Sequence, residues 1–462
     1  MIRQFFKILI ITTLLGGCSF IPDYKRPEIT VPITWENSSF DKTETPAADI
    51  SPDWWATFDS PELNAFISRA LNHNTDLAAG IQRIAQARAT LKIAGADLYP
   101  NAQATGGINR RESYPADGGH FGETGANLGL SISYEADLFG ANRATVAAAY
   151  ANLNNTIYTQ DALTLTVMGD VANGYFTYAS LKERLTIADE NLKIAREVLR
   201  IIKARVREGA ESNLQLSQQK SAVSSAEARR ASLVEQTKNA KNALAVLLGR
   251  APSTIDIERD NLGGLVIPEI AVSQPSTLLS RRPDLRAAEA NLIAANANIG
   301  AARAAFFPAV NLGLDHSAAW SGLGDPASYV LSLAASATVP VFQAGRLQGA
   351  LDRTTAQRLE LVEFYRGSVL NAFQETEDAL AAVNAAAKRE ESLKIAMEQA
   401  RTAYRISKQQ YDAGAIDYQT LLDTQNTQLS AEDTYAQSRL ARLTAAVNLY
   451  RALGGGWMTL EI

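Results

Sequence analysis

Residues 127–138 read NLGLSISYEADL, and this stretch decides the fold. Leu128, Leu130, Ile132, Tyr134, Ala136 and Leu138 alternate with Asn127, Gly129, Ser131, Ser133, Glu135 and Asp137, which gives an extended strand one apolar and one polar face. Residues 102–110 alternate more weakly, and the intervening 111–123, with Pro115, Gly118, Gly119 and Gly122, reads as a loop. The pattern returns later in the chain. Val310, Leu312 and Leu314 alternate with Asn311, Gly313 and Asp315, and Tyr329, Leu331, Leu333, Ala335, Ala337 and Val339 alternate with mostly small or polar residues. Strands are therefore expected over about 102–110, 126–138, 309–317 and 328–340. Each has the roughly 9 to 12 residues that a tilted strand needs to cross a bilayer, although a soluble sheet buried on one side shows the same alternation. Four strands cannot close a membrane barrel, because even small barrels need about eight and an open edge in lipid leaves backbone groups unpaired. A transmembrane sheet thus requires an oligomer, and a trimer brings the four strands per chain to twelve.

The later strands recur because the chain is one unit written twice. Residues 77–249 recur as 285–454: Asp76, Leu77, Ala79, Ala89, Ala96 and Pro100 reappear as Asp284, Leu285, Ala287, Ala297, Ala304 and Pro308. Gly209, Ala210, Leu216, Leu244, Leu248 and Gly249 reappear as Gly414, Ala415, Leu421, Leu449, Leu453 and Gly454. Duplicated units of this size stack on one another, because a single copy cannot bury its apolar face. Although 462 residues suffice for several domains, the repeat points to one elongated body.

After the second strand the period becomes helical for roughly 65 residues, about 100 Å of helix. Leu181, Leu185, Ala188, Leu192, Ala195, Leu199, Ile202 and Val206 follow a four-three spacing, a coiled-coil seam. Their counterparts Ala386, Glu390, Leu393, Met397, Ala400, Tyr404, Ser407 and Tyr411 are more polar but in register. Gly209 and Gly414 end these helices, where a left-handed cap costs little. Ser212 with Gln215, and Asp417, supply caps for the return helices, so each copy forms a long antiparallel hairpin with a tight tip.

The first residues are laid out as a secretory signal, with Arg3 and Lys7 before a short apolar run at 8–15 that cannot span a bilayer. Leu15-Gly16-Gly17-Cys18 resembles a bacterial lipobox, which implies cleavage before Cys18 and a covalent lipid on it; Cys18 is the only cysteine, so no intrachain disulfide exists. Ser19 in place of the retention aspartate implies sorting to the outer membrane. The expected organisation is a signal peptide at 1–17, a lipidated extended arm at 18–60, repeat one at 61–250, a connector at 251–282, repeat two at 283–456 and a tail at 457–462. Loss of Arg3 and Lys7 takes the net charge from −5 to −7, which argues against nucleic acid as a partner. No later stretch has 18 consecutive apolar residues, so any membrane crossing falls to strands.

Taken together, the lipobox, Asp53-Trp54-Trp55, Arg281-Arg282-Pro283-Asp284-Leu285 and the closing Asn448-Leu449-Tyr450-Arg451-Ala452-Leu453-Gly454-Gly455-Gly456-Trp457 resemble the TolC-type outer membrane factors, in the OprM/NodT-like lipoprotein branch. The resemblance implies an α+β membrane protein: a homotrimeric, twelve-stranded transmembrane β-barrel continuous with a long periplasmic α-helical coiled-coil barrel. It implies residence in the outer membrane of a Gram-negative bacterium, with 251–282 in the equatorial region. The implied partners are a periplasmic membrane-fusion adaptor, an inner-membrane pump of the resistance-nodulation-division class and outer-membrane lipid. The implied function is passive efflux through one component of a tripartite system, with no cofactor beyond the Cys18 lipid. The alternative is a structural periplasmic coiled-coil lipoprotein that spaces the envelope without conducting.

The strand faces assign Leu128, Leu130, Ile132, Leu331 and Leu333 to lipid and Ser131, Ser133, Glu135, Asp137 and Asp315 to a wet interior, since the reverse strands carboxylates in hydrocarbon. The tips differ in charge: Lys203, Arg205 and Arg207 near the first, Asp412, Asp417 and Asp423 near the second, with Tyr411 and Tyr418. Pairing of these opposite charges is expected to hold a periplasmic entrance shut. Leu421-Leu422-Asp423 matches the family's constriction motif, and its copy-one equivalent is Gln218, so a trimer carries one ring of three carboxylates. Asp417 reads as a helix cap ahead of a gate residue, and Asp412 reads equally as a salt-bridge partner. His73, assigned to a helix start, His120 in a loop and His316 on a strand share no metal-ligand spacing, and acid pairs such as Asp189-Glu190 and Glu390-Glu391 read as solvated helix faces. With no nucleophile-base pair, the chain reads as a non-enzyme.

Overall fold

The computed structural model describes residues 19–37, 50–270, 272, 274–322 and 325–455. The expected signal peptide, Cys18 and the tail 457–462 lie outside the described residues. In chain order the elements are α1 (Pro61–His73), α2 (Thr75–Ala96), β1 (Asn101–Ser113), β2 (Phe121–Ala136), α3 (Ala141–Arg207), α4 (Asn213–Leu247), α5 (Leu278–Arg281), α6 (Pro283–Ala304), β3 (Ala309–Trp320), β4 (Ser328–Thr338), α7 (Arg346–Asp412) and α8 (Tyr418–Ala452). They form two compact units. One comprises Met1–Ile29, Gln82–Ile157 and Ala287–Ser368; the other comprises Thr30–Ile81, Tyr158–Arg286 and Val369–Ile462.

The first unit carries a four-stranded antiparallel sheet in the order β1-β2-β3-β4. Its strands are longer than alternation alone indicates at the far turn, where β1 runs to Ser113 and β2 starts at Phe121, leaving only 114–120 outside the strands. Gly118 and Gly119 fall in that turn as expected, whereas Gly122, read as a loop former, sits within paired β2 opposite Glu112. A Cβ on Gly122 would lie 2.8 Å from Glu112 Oε2, the carboxylate that bridges Arg110 and His120. At the other end β2 stops at Ala136, two residues early. Asp137, expected on the wet strand face, lies past the strand and accepts from the backbone N–H of Asn142 (3.2 Å) and Arg143 (2.9 Å), capping α3. A carboxylate that accepts from the exposed amides at a helix start is favoured there, so Asp137 serves the helix rather than the sheet. β3 extends to Trp320, and β4 ends at Thr338, ahead of Pro340, which has no N–H to donate.

The arm enters the same unit in extended form. Phe20 stacks on Phe307 (ring centroids 4.5 Å), which stacks on Phe139 (4.9 Å). Arg26 pairs with Glu289 at 2.6 Å, and the Tyr24 hydroxyl donates to the same carboxylate.

The second unit is built on Trp54, Phe58, Phe176 and Tyr175, none of them exposed, with Tyr450 stacked on Trp54 at 4.9 Å. The heptad seam packs along the hairpin: Leu181, Leu185 and Ala188 meet Leu233 and Ala240, and Leu192, Ala195 and Leu199 meet Val223 and Ala226. In the second copy, seam position Glu390 is not solvated; Arg442 pairs with it at 2.7 Å from α8, which explains the polar residue at that position. Asp189 pairs with Arg230 but stays exposed, on a solvated face as expected.

Both copies join hairpin to neighbouring helix in the same way. Asn74 donates from Nδ2 to the last carbonyl of α4, Leu247 O (2.9 Å), while its Oδ1 accepts from the N–H of Asp76 and Leu77 at the start of α2. At the equivalent place Arg282 donates to Ala452 O (3.2 Å), the last carbonyl of α8, and pairs with Asp284 (2.8 Å) and Glu375 (2.7 Å). Beside each joint a left-handed glycine lies against backbone: Gly249 (φ +63) on His73, the last residue of α1, and Gly454 (φ +86) on Arg281. A Cβ on Gly249 would fall 2.2 Å from His73 O, whereas Gly209, at φ +72, has open space around it.

Two outcomes follow from this packing. Gly209→Ala costs about 1 kcal/mol, the left-handed penalty alone, whereas Gly249→Ala costs several times more because backbone must move; thermal unfolding of the two variants compares them. Asp161 on α3 is 3% exposed, and its Oδ2 has no hydrogen-bond partner. Burial pushes its carboxyl up to about 6 against the opposing pull of Arg286. A carboxyl raised above its unfolded value makes the fold gain stability as pH falls through about 6, levelling below the ordinary value near 4. Asp161→Asn therefore raises stability at pH 7 by about 1–3 kcal/mol and flattens that dependence, as denaturant titrations at pH 7 and pH 5 will show.

Candidate functional site

Two regions concentrate the expected site residues, and the first is the sheet. Its registers place Ala102, Ile132, Leu314 and Leu333 in one row, and Ala104, Leu130, His316 and Leu331 in the next on the same face. The opposite face holds Gln103, Ser131, Asp315 and Ser332 in one row, with Glu135, Asn311 and Ser336 in another. Ser131, Ser133, Glu135 and Asp315 thus share a polar face, and Asp137 does not join them. Leu333 is 84% exposed and Leu331 70%, so the apolar face has no cover among the described residues. The strands, of 13, 16, 12 and 11 residues, are long enough for a tilted bilayer crossing. Among the described residues neither β1 nor β4 has a partner on its outer edge. No helix among the described residues is long and apolar enough to cross a membrane.

The second region is the pair of hairpin tips in the second unit. Gly209 (φ +72) and Gly414 (φ +73) close their helices by matching bonds, Ala210 N–H to Arg205 O and Ala415 N–H to Gln410 O, both 2.8 Å. The tips share one core of Val198 and Ile202 from α3, Tyr404 and Tyr411 from α7, and Tyr418 and Leu421 from α8. Arg205 lies 4.6 Å from the Tyr411 ring centroid and 3.7 Å from Glu211, to which the Tyr411 hydroxyl donates at 3.2 Å. The Tyr418 hydroxyl donates to Gln219 Oε1, and Gln219, fully buried, donates in turn to Ala195 O at 2.7 Å.

The expected acid-to-base pairing across the tips is not what joins them within the chain. Asp412 pairs with Lys408 on its own helix at 3.0 Å. Asp417 caps α8 by accepting from Thr420 N–H at 2.9 Å, and Asp423 accepts from Gln419 at 2.8 Å. Arg207 is exposed and contributes nothing to the shared core. Magnitudes explain the outcome. An exposed ion pair contributes about 0–1 kcal/mol, whereas burying one aromatic side chain contributes roughly 2–3 kcal/mol before its hydroxyl finds a partner. Glu211 and Gln219 were not indicated by the sequence; the one available signal was their place after the tip glycine Gly209, Glu211 in the turn and Gln219 on α4.

Burial raises the hydroxyl pKa of Tyr404, Tyr411 and Tyr418, the last to about 12. Hydrogen bonds from Thr420 hold the Asp417 carboxyl below its usual range. The three histidines stand apart, His73 ending α1, His120 in the β1–β2 turn and His316 on β3.

Residues 66–250 and 274–455 match the family described as Outer membrane efflux protein. The chain belongs to that family. It is 36% identical over 456 residues to the pyoverdine export outer membrane protein OpmQ of Pseudomonas aeruginosa, covering 96% of this chain and 95% of that protein. It is 33% identical to the toluene efflux pump outer membrane protein TtgF of Pseudomonas putida, covering 97% and 96%. A crystal structure of a membrane protein from Pseudomonas aeruginosa superposes with a TM-score of 0.85 at 30% identity, over 95% of this chain and 100% of that one. The efflux protein is therefore an outer-membrane channel component and a transporter, not an enzyme, and the non-conducting scaffold is set aside.

The shared aromatic core sets the response of the tips. Tyr411→Ala is expected to speed hydrogen exchange at 198–206 and 411–421 by tenfold or more, about 1.4 kcal/mol of local stability, whereas Arg207→Ala leaves it unchanged. For a hydroxyl whose folded value is raised, stability is whole below pH 10 and declines as pH rises toward the Tyr418 value of about 12. Alkaline circular dichroism in that window should show early loss of helix in the parent and a smaller loss in Tyr418→Phe.

Proposed function

We propose that three copies of the efflux protein close their sheets into one twelve-stranded barrel, with the apolar face toward lipid and the face of Ser131, Ser133, Glu135 and Asp315 lining a wet lumen. The observation that carries this reading is a sheet with two unpaired edges, one apolar face and one polar face. An open edge in hydrocarbon leaves several backbone groups unsatisfied at a few kcal/mol each, so closure by further copies is required. A covalent lipid on Cys18 tethers each arm to the outer membrane, and the helical hairpins extend into the periplasm. A periplasmic adaptor and an inner-membrane pump of the resistance-nodulation-division class deliver solutes to the tips, where Asp423 forms a ring of three carboxylates.

Opening then means parting the tyrosine core at the tips, with Arg205 and Glu211 as its polar rim, while Asp412, Asp417 and Arg207 take no part in holding it shut. Pyoverdine and toluene, named for two relatives, differ greatly in size and polarity. The conduit is therefore a passive one, and its partners choose the cargo.

Purified protein in planar bilayers provides the test. The parent should give a small cation-preferring conductance, Glu135→Gln with Asp315→Asn should lower the cation preference, and Tyr411→Ala with Tyr418→Ala should raise resting conductance severalfold. Asp423→Ala should alter ion selectivity near the constriction. A protein that folds well, yet stays soluble as a monomer without detergent and never conducts, would sink the proposal. Cys18→Ser should abolish metabolic labelling with palmitate.

A further inference from the structure

The internal repeat extends to the strand junctions. β2 recurs in β4 203 positions on, with Leu128, Leu130, Phe139 and Arg143 returning as Leu331, Leu333, Phe342 and Arg346. β1 recurs in β3 208 positions on, with Ala96 and Pro100 returning as Ala304 and Pro308, so Tyr99 corresponds to Phe307. Within the chain, β2 and β3 meet in a register that pairs Tyr134 with Leu312 and Ala136 with Val310. Just below these pairs the junction is closed by the Phe139 and Phe307 rings, stacked with centroids 4.9 Å apart and planes at 22°.

The counterparts of those two rings have no such closure. Phe342 is 87% exposed and Tyr99 72% exposed, and they sit at the ends of the two unpaired edge strands, β4 and β1. Val341, beside Phe342, is 92% exposed. The chain therefore contains both halves of a second aromatic junction on opposite edges of one sheet, where only another copy can bring them together. Ring pairs of this kind contribute stabilisation beyond the area they bury, and in a strand pair they also fix register.

We propose that β4 of one copy pairs antiparallel with β1 of the next in the register of the chain's own β2–β3 junction, with Phe342 stacked on Tyr99 of the next copy. This rests on the closure of copies into a barrel proposed above and specifies its seam. Transferring the β2–β3 pairs by the two repeat offsets places Val339 opposite Ala102, Ala337 opposite Ala104, Ala335 opposite Gly106 and Leu333 opposite Ile108 of the next copy. Every pair joins apolar face to apolar face, as a shift by an even number of residues also would. The two hairpins of the chain differ by such a shift: Ala309 pairs with Thr338, where a strict copy of the Asn101–Ser133 pair gives Ser336. The rings settle the choice at the seam, since only the unslipped register sets residue 342 opposite residue 99.

Cys18 is the only native cysteine, which makes the seam accessible to paired cysteines. In full-length protein in the outer membrane, Ala337→Cys with Ala104→Cys should form covalent dimers and trimers on oxidation. Ala335→Cys or Val339→Cys combined with Ala104→Cys, each displaced by two residues, should form few, because a diagonal pair exceeds disulfide reach. Phe342→Ala and Tyr99→Ala should each lower the temperature at which trimers dissociate on semi-native gels, and the double variant should fall no further than the worse single one. Cross-linking through a displaced pair, additive effects of the two ring deletions, or intact trimers without any cross-link would overturn the seam while leaving the barrel standing. A parent that runs only as monomer would overturn the barrel and the seam with it.

Discussion

An unpaired strand edge has no solvent to turn to inside a membrane, and the rest of this protein follows from that constraint. Water can satisfy the N–H and C=O groups along an exposed edge; hydrocarbon cannot. Four strands with free edges at β1 and β4 are an incomplete object, and the duplication that produced them supplies two hairpins per chain rather than a closed ring. Side chains then divide by face. Leu130, His316 and Leu331 lie in one row and Ser131, Asp315 and Ser332 in the adjacent one, so a single-residue slip of any strand would exchange lipid-compatible and water-compatible residues.

The second unit meets a different demand, that of holding long hairpins in a fixed relation to one another. It does so at helix ends. Asn74 and Arg282 occupy equivalent positions and satisfy equivalent terminal carbonyls, Leu247 O and Ala452 O, but with different chemistry. The amide both closes one helix and opens the next. The guanidinium brings in Asp284 and Glu375 as counter-charges, and a buried cation without them would be strongly destabilising. At the other extreme of the hairpins, three tyrosines rather than ion pairs join the tips. Aromatic burial is little affected by salt, whereas exposed charge pairs weaken as ionic strength rises.

Much of this was legible in the residues. The duplication, the seam from Leu181 to Val206, the Ser60 and Ser212 caps and the two-faced strands all rest on local periodicity or local hydrogen bonding, which sequence expresses directly. What was not legible depends on partners distant in the chain. The strands outran their alternation at the β1–β2 turn, where Gly122 pairs with Glu112 across the ladder. Asp137 left the sheet for the start of α3, and the acidic residues at the second tip found partners on their own helix. Glu211 and Gln219 matter only because Tyr411 and Tyr418, roughly two hundred positions away, are brought against them. Charge type at a tip is visible in a sequence; which neighbour neutralises it is not.

The arm carries a temporal consequence. Phe20 rests on Phe307, and Arg26 is gripped by Glu289, 263 positions along the chain. A polypeptide that emerges amino end first has no site for its opening segment until well over half of it has been exported. That segment must therefore wait for Phe307 and Glu289 before it can dock. Whatever escorts the newly made chain between the two membranes meets a loose leader and an unfinished sheet at the same moment.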